Sequence, residues 1–241
     1  MILLISDLHL CAQRPAILQL FIEFLNRQAG RCDALYILGD LFEAWLGDDD
    51  DAPDHARVVS ALRALRDSGT AIYFMHGNRD FLIGEKFAAL SGCRLLPDPS
   101  VIDLNGTPTL LMHGDTLCTD DVSYQRFRRL VRNRFSQRLF LGLPLALRRR
   151  LARRLRAQSM SRTLEKSPAI MDVNARSVAA VMRRHQVTRL IHGHTHRPAV
   201  HDFEIDGRLA QRIVLGDWYA QGSVLRCDAS GLRLTTLPLP G

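Results

Sequence analysis

Five short polar clusters carry side chains able to hold a metal or move a proton. They are Asp7 and His9 in "DLH", Asp40 in "GDLFE", Asn78, Arg79 and Asp80 in "HGNRD", His113 and Asp115 in "HGD", and His192, His194 and His196 in "HGHTH". Any one alone means little: D-x-H arises often by chance, G-D commonly marks a turn, and an isolated histidine is usually a packed or surface residue. Together they offer carboxylates, one carboxamide and several imidazoles. That set is too large for one structural zinc and includes no thiolate in a ligand-like position. Mixed N/O donors suit Mn²⁺, Fe²⁺ or Zn²⁺. Two such cations about 3.5–4 Å apart would need a bridging ligand, naturally a carboxylate, and would activate water and clamp a phosphoryl group.

Each cluster follows a short β-prone apolar run: "ILLIS" (2–6), "ALYIL" (34–38), "AIYFM" (71–75), "TLLM" (109–112) and "RLI" (189–191). Similar runs recur at 212–215, 223–227 and 232–237. Helical patterns lie at 15–29, 54–67, 80–90 and 172–185; the first shows its period in Ile17, Leu18, Phe21, Ile22 and Leu25. Strand–helix alternation followed by strands predicts an α/β fold with a more antiparallel C-terminal part. The clusters then sit at the C-terminal ends of strands, the edge where such sheets build their sites. Glycines accompany four of the five, allowing tight turns and close backbone approach.

The 241 residues suit one large domain or two small ones. No apolar stretch approaches the roughly 18 residues needed to span a bilayer. The start, "MILLISDLHL", lacks a basic leader and meets Asp7 at once, so it reads as a strand and not a signal peptide. The five scattered cysteines, without CxxC spacing, predict reduced thiols.

The net charge of +7 hides an asymmetry. Residues 122–164 hold thirteen arginines and no Asp, Glu or Lys; subtracting them leaves the rest of the chain at −6. Helices are expected at 121–140 and 145–166, broken at "GLP" (142–144). Phe127, Leu130, Val131 and Phe135 form one apolar stripe and Leu147, Leu151 and Leu155 another. The pattern predicts a helical hairpin, 121–166, inserted into a single domain of 1–241. Any single arginine fits a basic-faced helix pair packed on the core, but like charges repel along a helix, and thirteen without an acid suit phosphates, anionic lipid or nucleic acid. The acid-rich "GDDDDAPD" (47–54) reads as a solvated loop.

The motifs D-x-H, G-D-x-x-(D/E), G-N-x-D, H-G-D and G-H-T-H, in this order after successive strands, resemble the calcineurin-like metallophosphoesterases over nearly the whole chain. That resemblance implies a two-sheet sandwich flanked by helices, with the hairpin as a cap. It implies Asp7, His9 and His196 as ligands of one metal, Asn78, His113 and His194 as ligands of the other, and Asp40 as the bridge. His192, Asp80 and Asp115 are expected behind the ligands or in packing.

"LYILGDLFEAWLGDDD", "HGNRDFLIG", "LLPDPSVIDL", "LMHGDTLCTDD" and "IVLGDW" narrow the resemblance to the pyrophosphohydrolases that act on UDP-2,3-diacylglucosamine in lipid A biosynthesis. This implies two Mn²⁺ per chain and a peripheral location on the cytoplasmic face of the inner membrane. The implied products are 2,3-diacylglucosamine 1-phosphate (lipid X) and UMP, formed by metal-activated attack of water on the α-phosphorus. Implied substrate contacts are Asn78, Arg79, Asp121, Ser159, Thr163, Lys166 and His194. Partners are then the nucleotide lipid and an anionic membrane surface, with no nucleic acid and no obligate protein partner.

One departure from the wider superfamily has chemical content. The third position of G-N-x-D often carries a histidine able to protonate an alkoxide leaving group. Here it is Arg79, always charged and no general acid. A departing phosphate monoester needs no proton, so the substitution favours pyrophosphate cleavage, with Arg79 and His194 steadying charge. Two alternatives stay open: another phosphoesterase or nucleotide pyrophosphatase on the same scaffold, or a non-catalytic binding module. A soluble nucleotide would give the basic hairpin no purpose, and a binding module would lack ligands that are all present.

Overall fold

The structure, a computed structural model, describes residues 1–164, 170 and 172–239. Its first sheet centres on three parallel strands, β1 (Ile2–Ile5), β2 (Ala34–Ile37) and β3 (Ala71–Met75), with Leu4, Tyr36 and Tyr73 in register. β4 (Arg94–Leu96) extends it in parallel beyond β3. On the other side β10 (Gly222–Asp228) runs antiparallel to β1 and pairs with β11 (Gly231–Leu237). The second sheet has β6 (Thr107–Met112), β7 (Arg189–His192) and β9 (Arg208–Val214) parallel at its centre. β5 (Ser100–Leu104) and β8 (Ala199–Ile205) close its two edges antiparallel.

The period-2 alternation of each strand decides what lies between the layers. Leu4, Met75, Leu111, Ile191 and Ile213 point inward and form the core between the sheets. Leu3, Ile5, Leu35, Ile37 and Phe74 point the other way, onto α1 (Pro15–Gln28), α2 (Pro53–Asp67) and α3 (Glu85–Ser91). α7 (Ala175–His185) lays Val178 and Met182 on the outer face of the second sheet, against Leu110, Met112 and Leu190. The layers are helix, sheet, sheet, helix: the expected α/β two-sheet sandwich. Each fully buried Leu, Ile or Phe contributes about 1.5–3 kcal/mol relative to exposure.

Several boundaries move, for local reasons. Helix α3 starts at Glu85 rather than at 80, because Asp80 is engaged with two loops described below. Its N-terminus is capped by a distant residue, Asp48, whose carboxylate accepts from the Gly84, Lys86 and Phe87 amides at 3.0, 3.0 and 3.1 Å. α7 starts at Ala175 rather than 172, where Asn174 caps it. The helix expected over 121–140 is two helices, α4 (Val122–Val131) and α5 (Arg134–Leu141). Asn133 divides them, accepting from the Phe135 and Ser136 amides in the N-cap manner. α6 (Leu145–Leu164) follows.

The stretch 47–54 is a partly exposed loop as far as Ala52, where Pro53 opens α2, and its acids also hold neighbours. Besides the cap by Asp48, Asp49 pairs with both terminal nitrogens of Arg148, and Arg149 pairs with Asp50 and Asp51. Arg148, only 2% exposed, also donates to the Leu46 and Leu143 carbonyls. The body's acids are thus what α6 rests on, which explains how a helix so rich in arginine docks at all.

Candidate metal centre

The five clusters leave the C-terminal ends of β1, β2, β3, β6 and β7, all central parallel strands. Eight described non-glycine residues have positive φ, and five of them are Asp7, His9, Asp40, His194 and His196. Asp and His tolerate this left-handed region better than most side chains, at a cost of order 1–3 kcal/mol each. Such concentration in one place marks a site over-determined by its surroundings. The loops lock together through backbone bonds: Asp7 N to Gly39 O (3.1 Å), His9 N to Asp40 O (2.9 Å) and Gly193 N to His113 O (2.9 Å). Gly77 and Gly193 make this approach feasible. A Cβ on Gly77 would lie 2.1 Å from Asp40 Oδ1, and one on Gly193 would lie 2.3 Å from Asp7 Oδ2.

Two donor groups result. In the first, His196 Nε2 lies 3.3 Å from Asp7 Oδ1 and 3.2 Å from His9 Nε2. In the second, Asn78 Oδ1 lies 3.0 Å from His113 Nε2 and 2.9 Å from His194 Nδ1. Asp40 stands between them: Oδ2 is 3.8 Å from His9 Nε2 and Oδ1 is 3.8 Å from His113 Nε2. Asp7, Asp40 and His113 also converge as a set of potential ligands, as do Asp7, His9 and His196.

The fit to cations rests on what these atoms lack. Asp7 Oδ1 is buried with no hydrogen-bond partner, whereas Asp7 Oδ2 accepts from Ser6 Oγ (2.6 Å) and the His194 amide (2.8 Å). An orphaned carboxylate oxygen facing two imidazole nitrogens is a ligand geometry, since burial without a partner is otherwise costly. The imidazoles are steered from behind in the way metal-ligating histidines are. His113 Nδ1 is 2.8 Å from the Leu38 carbonyl and His196 Nδ1 is 3.2 Å from Asp217 Oδ2.

Electrostatics divides the histidines. Burial opposes charge on His196, yet Asp217 and Asp7 raise it to about 10. Burial likewise opposes charge on His113, but Asp40, Asp7 and Asp115 raise it to about 9. Burial wins at His194, lowered to about 3, and at His9, held well below its ordinary value. Asp40 is pushed up to about 7 by burial, with Asp80 and Asp7 adding to it against His113. Burial also works against ionised Asp7, but the His196 ring 3.3 Å from Oδ1 and the other nearby imidazoles hold it well below the usual carboxylate range. Each donor group therefore holds one imidazole that keeps a proton and one that does not. A cation would displace the proton and take its place.

The family model for the calcineurin-like phosphoesterases matches residues 1–198. The chain belongs to that family. A protein of Pseudomonas paraeruginosa named UDP-2,3-diacylglucosamine hydrolase is 56% identical over 239 residues, 99% of each chain. Proteins with the same name from Salmonella arizonae and Escherichia coli O7:K1 are 54% and 53% identical, covering 98% of this chain and 99% and 98% of theirs.

Within this phosphoesterase fold the other expected site residues fall as follows. Arg79 is half-buried beside Asp40: its amide donates to Asp40 Oδ1 at 2.8 Å, and its Nε is buried without a partner. Asp80 accepts from the Gly77 and Leu41 amides at 2.9 and 2.7 Å, stapling the β2 and β3 loops. Asp115 accepts from Tyr124 Oη (2.9 Å) and Arg128 Nε (2.6 Å), tying α4 to the loop of His113. His192 is fully buried away from the donor groups, with Nδ1 2.8 Å from the Gly193 carbonyl. Asp121 begins α4, accepting from the Tyr124 amide and Ser123 Oγ. Ser159 and Thr163 belong to α6, but their side chains, and Lys166 altogether, lie outside the described residues.

Sequence reasoning passed over Glu43, Asp217, Tyr219 and Arg14. Tyr219 stacks on His9 with centroids 5.4 Å apart, and the Arg14 guanidinium lies 4.5 Å above the Tyr219 ring. Glu43 and Asp217 were both inside quoted motifs, "GDLFE" and "LGDW", yet nothing in the sequence says which way they face.

Proposed function

We propose that this chain hydrolyses the pyrophosphate of UDP-2,3-diacylglucosamine, releasing UMP and 2,3-diacylglucosamine 1-phosphate, with two Mn²⁺ held by Asp7, His9, His196, Asn78, His113, His194 and bridging Asp40. The observation that carries the reading is Asp40, whose two oxygens each face a different donor group. The N/O donors support a borderline or hard cation over a soft one. Two such cations would supply a lowered water pKa and neutralisation of phosphoryl oxygens.

The chain's own residues do the rest. Asp80 and the Arg79 amide hold the Asp40 loop and carboxylate in place. The Arg79 guanidinium, its Nε lacking a protein partner, is left to meet the equatorial phosphoryl oxygens, and His194 joins it. The leaving sugar phosphate departs as a stable anion, so Arg79 serves without donating a proton. The remaining contacts are Asp121, at the start of the helical segment, and Ser159, Thr163 and Lys166, in the C-terminal part of its sequence.

The segment 121–166 acts as a cap. Phe135, Leu139 and Leu130 are 75, 66 and 64% exposed, and Phe127 is also exposed. Apolar surface of this kind marks a binding face, here for acyl chains. No described helix is long and apolar enough to cross a membrane. Arg126, Arg129, Arg134 and Arg138 accompany the apolar residues on α4 and α5, a composition suited to the anionic cytoplasmic face of the inner membrane. The test is purified protein with Mn²⁺ and UDP-2,3-diacylglucosamine in ¹⁸O-water. UMP carrying the label is the expected product; label only in the sugar phosphate would move the attack to the other phosphorus, and no hydrolysis would overturn the reading.

A further inference from the structure

Three ligand histidines present their second ring nitrogen to an oxygen, and the three oxygens differ in what else they touch. For His113 it is a backbone carbonyl, and for His196 it is Asp217. For His9 it is Glu43, whose Oε2 lies 3.6 Å from Nδ1. Glu43 is not held by the sandwich alone. Arg14 Nη2 donates to Oε2 at 3.3 Å, and the same Arg14 nitrogen donates to the His9 carbonyl. From the cap, Arg156 pairs with Glu43 Oε1 and donates to the Glu43 carbonyl at 3.3 Å. His9 Nδ1 is buried and has no hydrogen-bond partner, so Glu43 is the acceptor on offer, slightly out of range. A short movement of the Glu43 carboxylate makes or breaks that bond, and Arg156 on α6 governs where the carboxylate sits.

We propose that Glu43 is a positioning residue that couples the seating of the cap to the metal held by Asp7, His9 and His196. When α6 is docked, Arg156 and Arg14 hold the Glu43 carboxylate facing Nδ1 of His9, which orients the ring and strengthens Nε2 as a ligand. When α6 lifts, Glu43 loses the cap's cation and turns toward Arg14 alone, and His9 loses its support. Coupling is reciprocal by linkage, so metal in this group favours the docked cap. Arg148, a second and buried anchor of α6 beside the partly exposed Arg156, engages Asp49 and two carbonyls and touches nothing next to a ligand. It supplies the control.

The inference rests on the metal reading above, and its test needs no substrate. Mn²⁺ is titrated into the full-length chelated protein and followed by the paramagnetic signal of the free ion, for wild type, Glu43→Gln, Arg156→Gln, the double variant and Arg148→Gln. Glu43→Gln should weaken one of the two sites roughly 10–100-fold, the usual scale for losing an outer partner of a ligand. Arg156→Gln should weaken the same site by less, and should add nothing in the Glu43→Gln background. Arg148→Gln should leave that site unchanged. Additive losses in the double variant would overturn the coupling, as would an Arg148→Gln loss equal to that of Arg156→Gln. A wild type that binds two Mn²⁺ alongside a Glu43→Gln that binds both as tightly would remove this inference alone. A wild type that binds none would remove the metal reading beneath it. Should Glu43→Gln fail to fold, Arg156→Gln against Arg148→Gln decides.

Discussion

The strand-end loops and the cap hold their polar groups by opposite means. In the loops, Asp7, His9, Asp40, Asp80, His113 and Asp115 are buried, backbones are bonded from loop to loop, and positive φ is tolerated for the sake of position. In the cap, among the described residues, large apolar side chains stand in solvent and few polar groups are buried. Besides Tyr124 and Gln125 at the start of α4, its attachments are individual arginines reaching acids and carbonyls of the body: Arg128 to Asp115, Arg132 to the Gly77 carbonyl, Arg148 to Asp49, Arg149 to Asp50, and Arg156 to Glu43. One region is rigid because every part fixes another. The other is fastened at a few points, each close to a ligand loop or to the acidic stretch. Changes in the loops should therefore strike chemistry, and changes in the cap, the Arg156 contact to Glu43 apart, should strike recognition.

The largest effect should come from Asp40→Asn. One carboxylate faces both donor groups, so its loss should loosen both metals and abolish turnover. Metal content by elemental analysis, beside the rate, checks this; two retained metals with wild-type turnover would remove the dinuclear reading. Next is Arg79→Ala, expected to lower kcat by roughly 10²–10³-fold, the scale for removing one preorganised donor. Arg79→His should not restore it, because the role is charge stabilisation. Steady-state kinetics of the two variants separates that role from proton donation.

The same contrast explains what could be read in advance. β1, β2 and β3 were legible because parallel strands covered on both faces are continuous apolar runs. β4, β5 and β8 were not, and all three are sheet edges. "AVHDFEI" of β8 fully buries only Ile205, so its pattern carries little hydrophobic signal. The break at Asn133 was missed because the apolar stripe runs from Phe127 through Phe135 across it; the capping amide bonds decide, and only three dimensions display them. The convergence of the five clusters was legible because motif order and strand ends coincide. Glu43 and Asp217 were not, because an outer partner is defined by direction and not by spacing.

Metal loading should sharpen the account of the loops. With His113 and His196 raised to about 9 and about 10, both keep their protons at pH 7 when the protein is chelated. Binding must expel them. Calorimetry in buffers of different ionisation enthalpy should report between about two and three protons released per chain at pH 7, where Asp40 is partly protonated beside the two imidazoles, more below pH 7, and fewer as pH rises through 9 to 10. Affinity should fall as pH falls. The sign for stability is the reverse: a histidine raised on folding stabilises below its unfolded value of about 6.5, so the chelated protein should lose stability as pH climbs through 9 to 10. A proton count that ignores pH would mean these imidazoles are not the ligands.

For the cap, Phe127→Asp or Leu130→Asp should raise KM for the acylated substrate severalfold while kcat changes little. Unchanged KM would put the acyl chains elsewhere. Binding to vesicles with anionic lipid should weaken with salt, since exposed charges are screened within about 8–10 Å at physiological ionic strength. Co-sedimentation insensitive to both salt and anionic lipid would detach the arginines from the membrane reading.

The smallest effects should come from histidines outside the loops, and they should not all be alike. His201 and His185 lie on β8 and at the end of α7, away from the donor groups. Replacing either by Ala should change activity and metal affinity little. His55 looked equally silent in sequence, but it stacks on Trp45 with centroids 4.4 Å apart and meets Phe42 edge-on at 4.7 Å. That cluster underlies the acidic stretch on which α6 rests. His55→Ala should therefore keep both metals yet lower stability by about 0.5–1.5 kcal/mol beyond its lost burial, the scale of an aromatic pair. Burial also lowers the His55 pKa, so the imidazole packs neutral. A depressed histidine stabilises above its unfolded pKa and loses that as pH falls, so the stability gap between His55→Ala and wild type should narrow on acidification below about 6.5. Denaturant melts of the two proteins at pH 8 and pH 5 measure that gap directly, and a gap that widens at pH 5 would mean the ring is held charged against Asp50 instead of stacked neutral on Trp45.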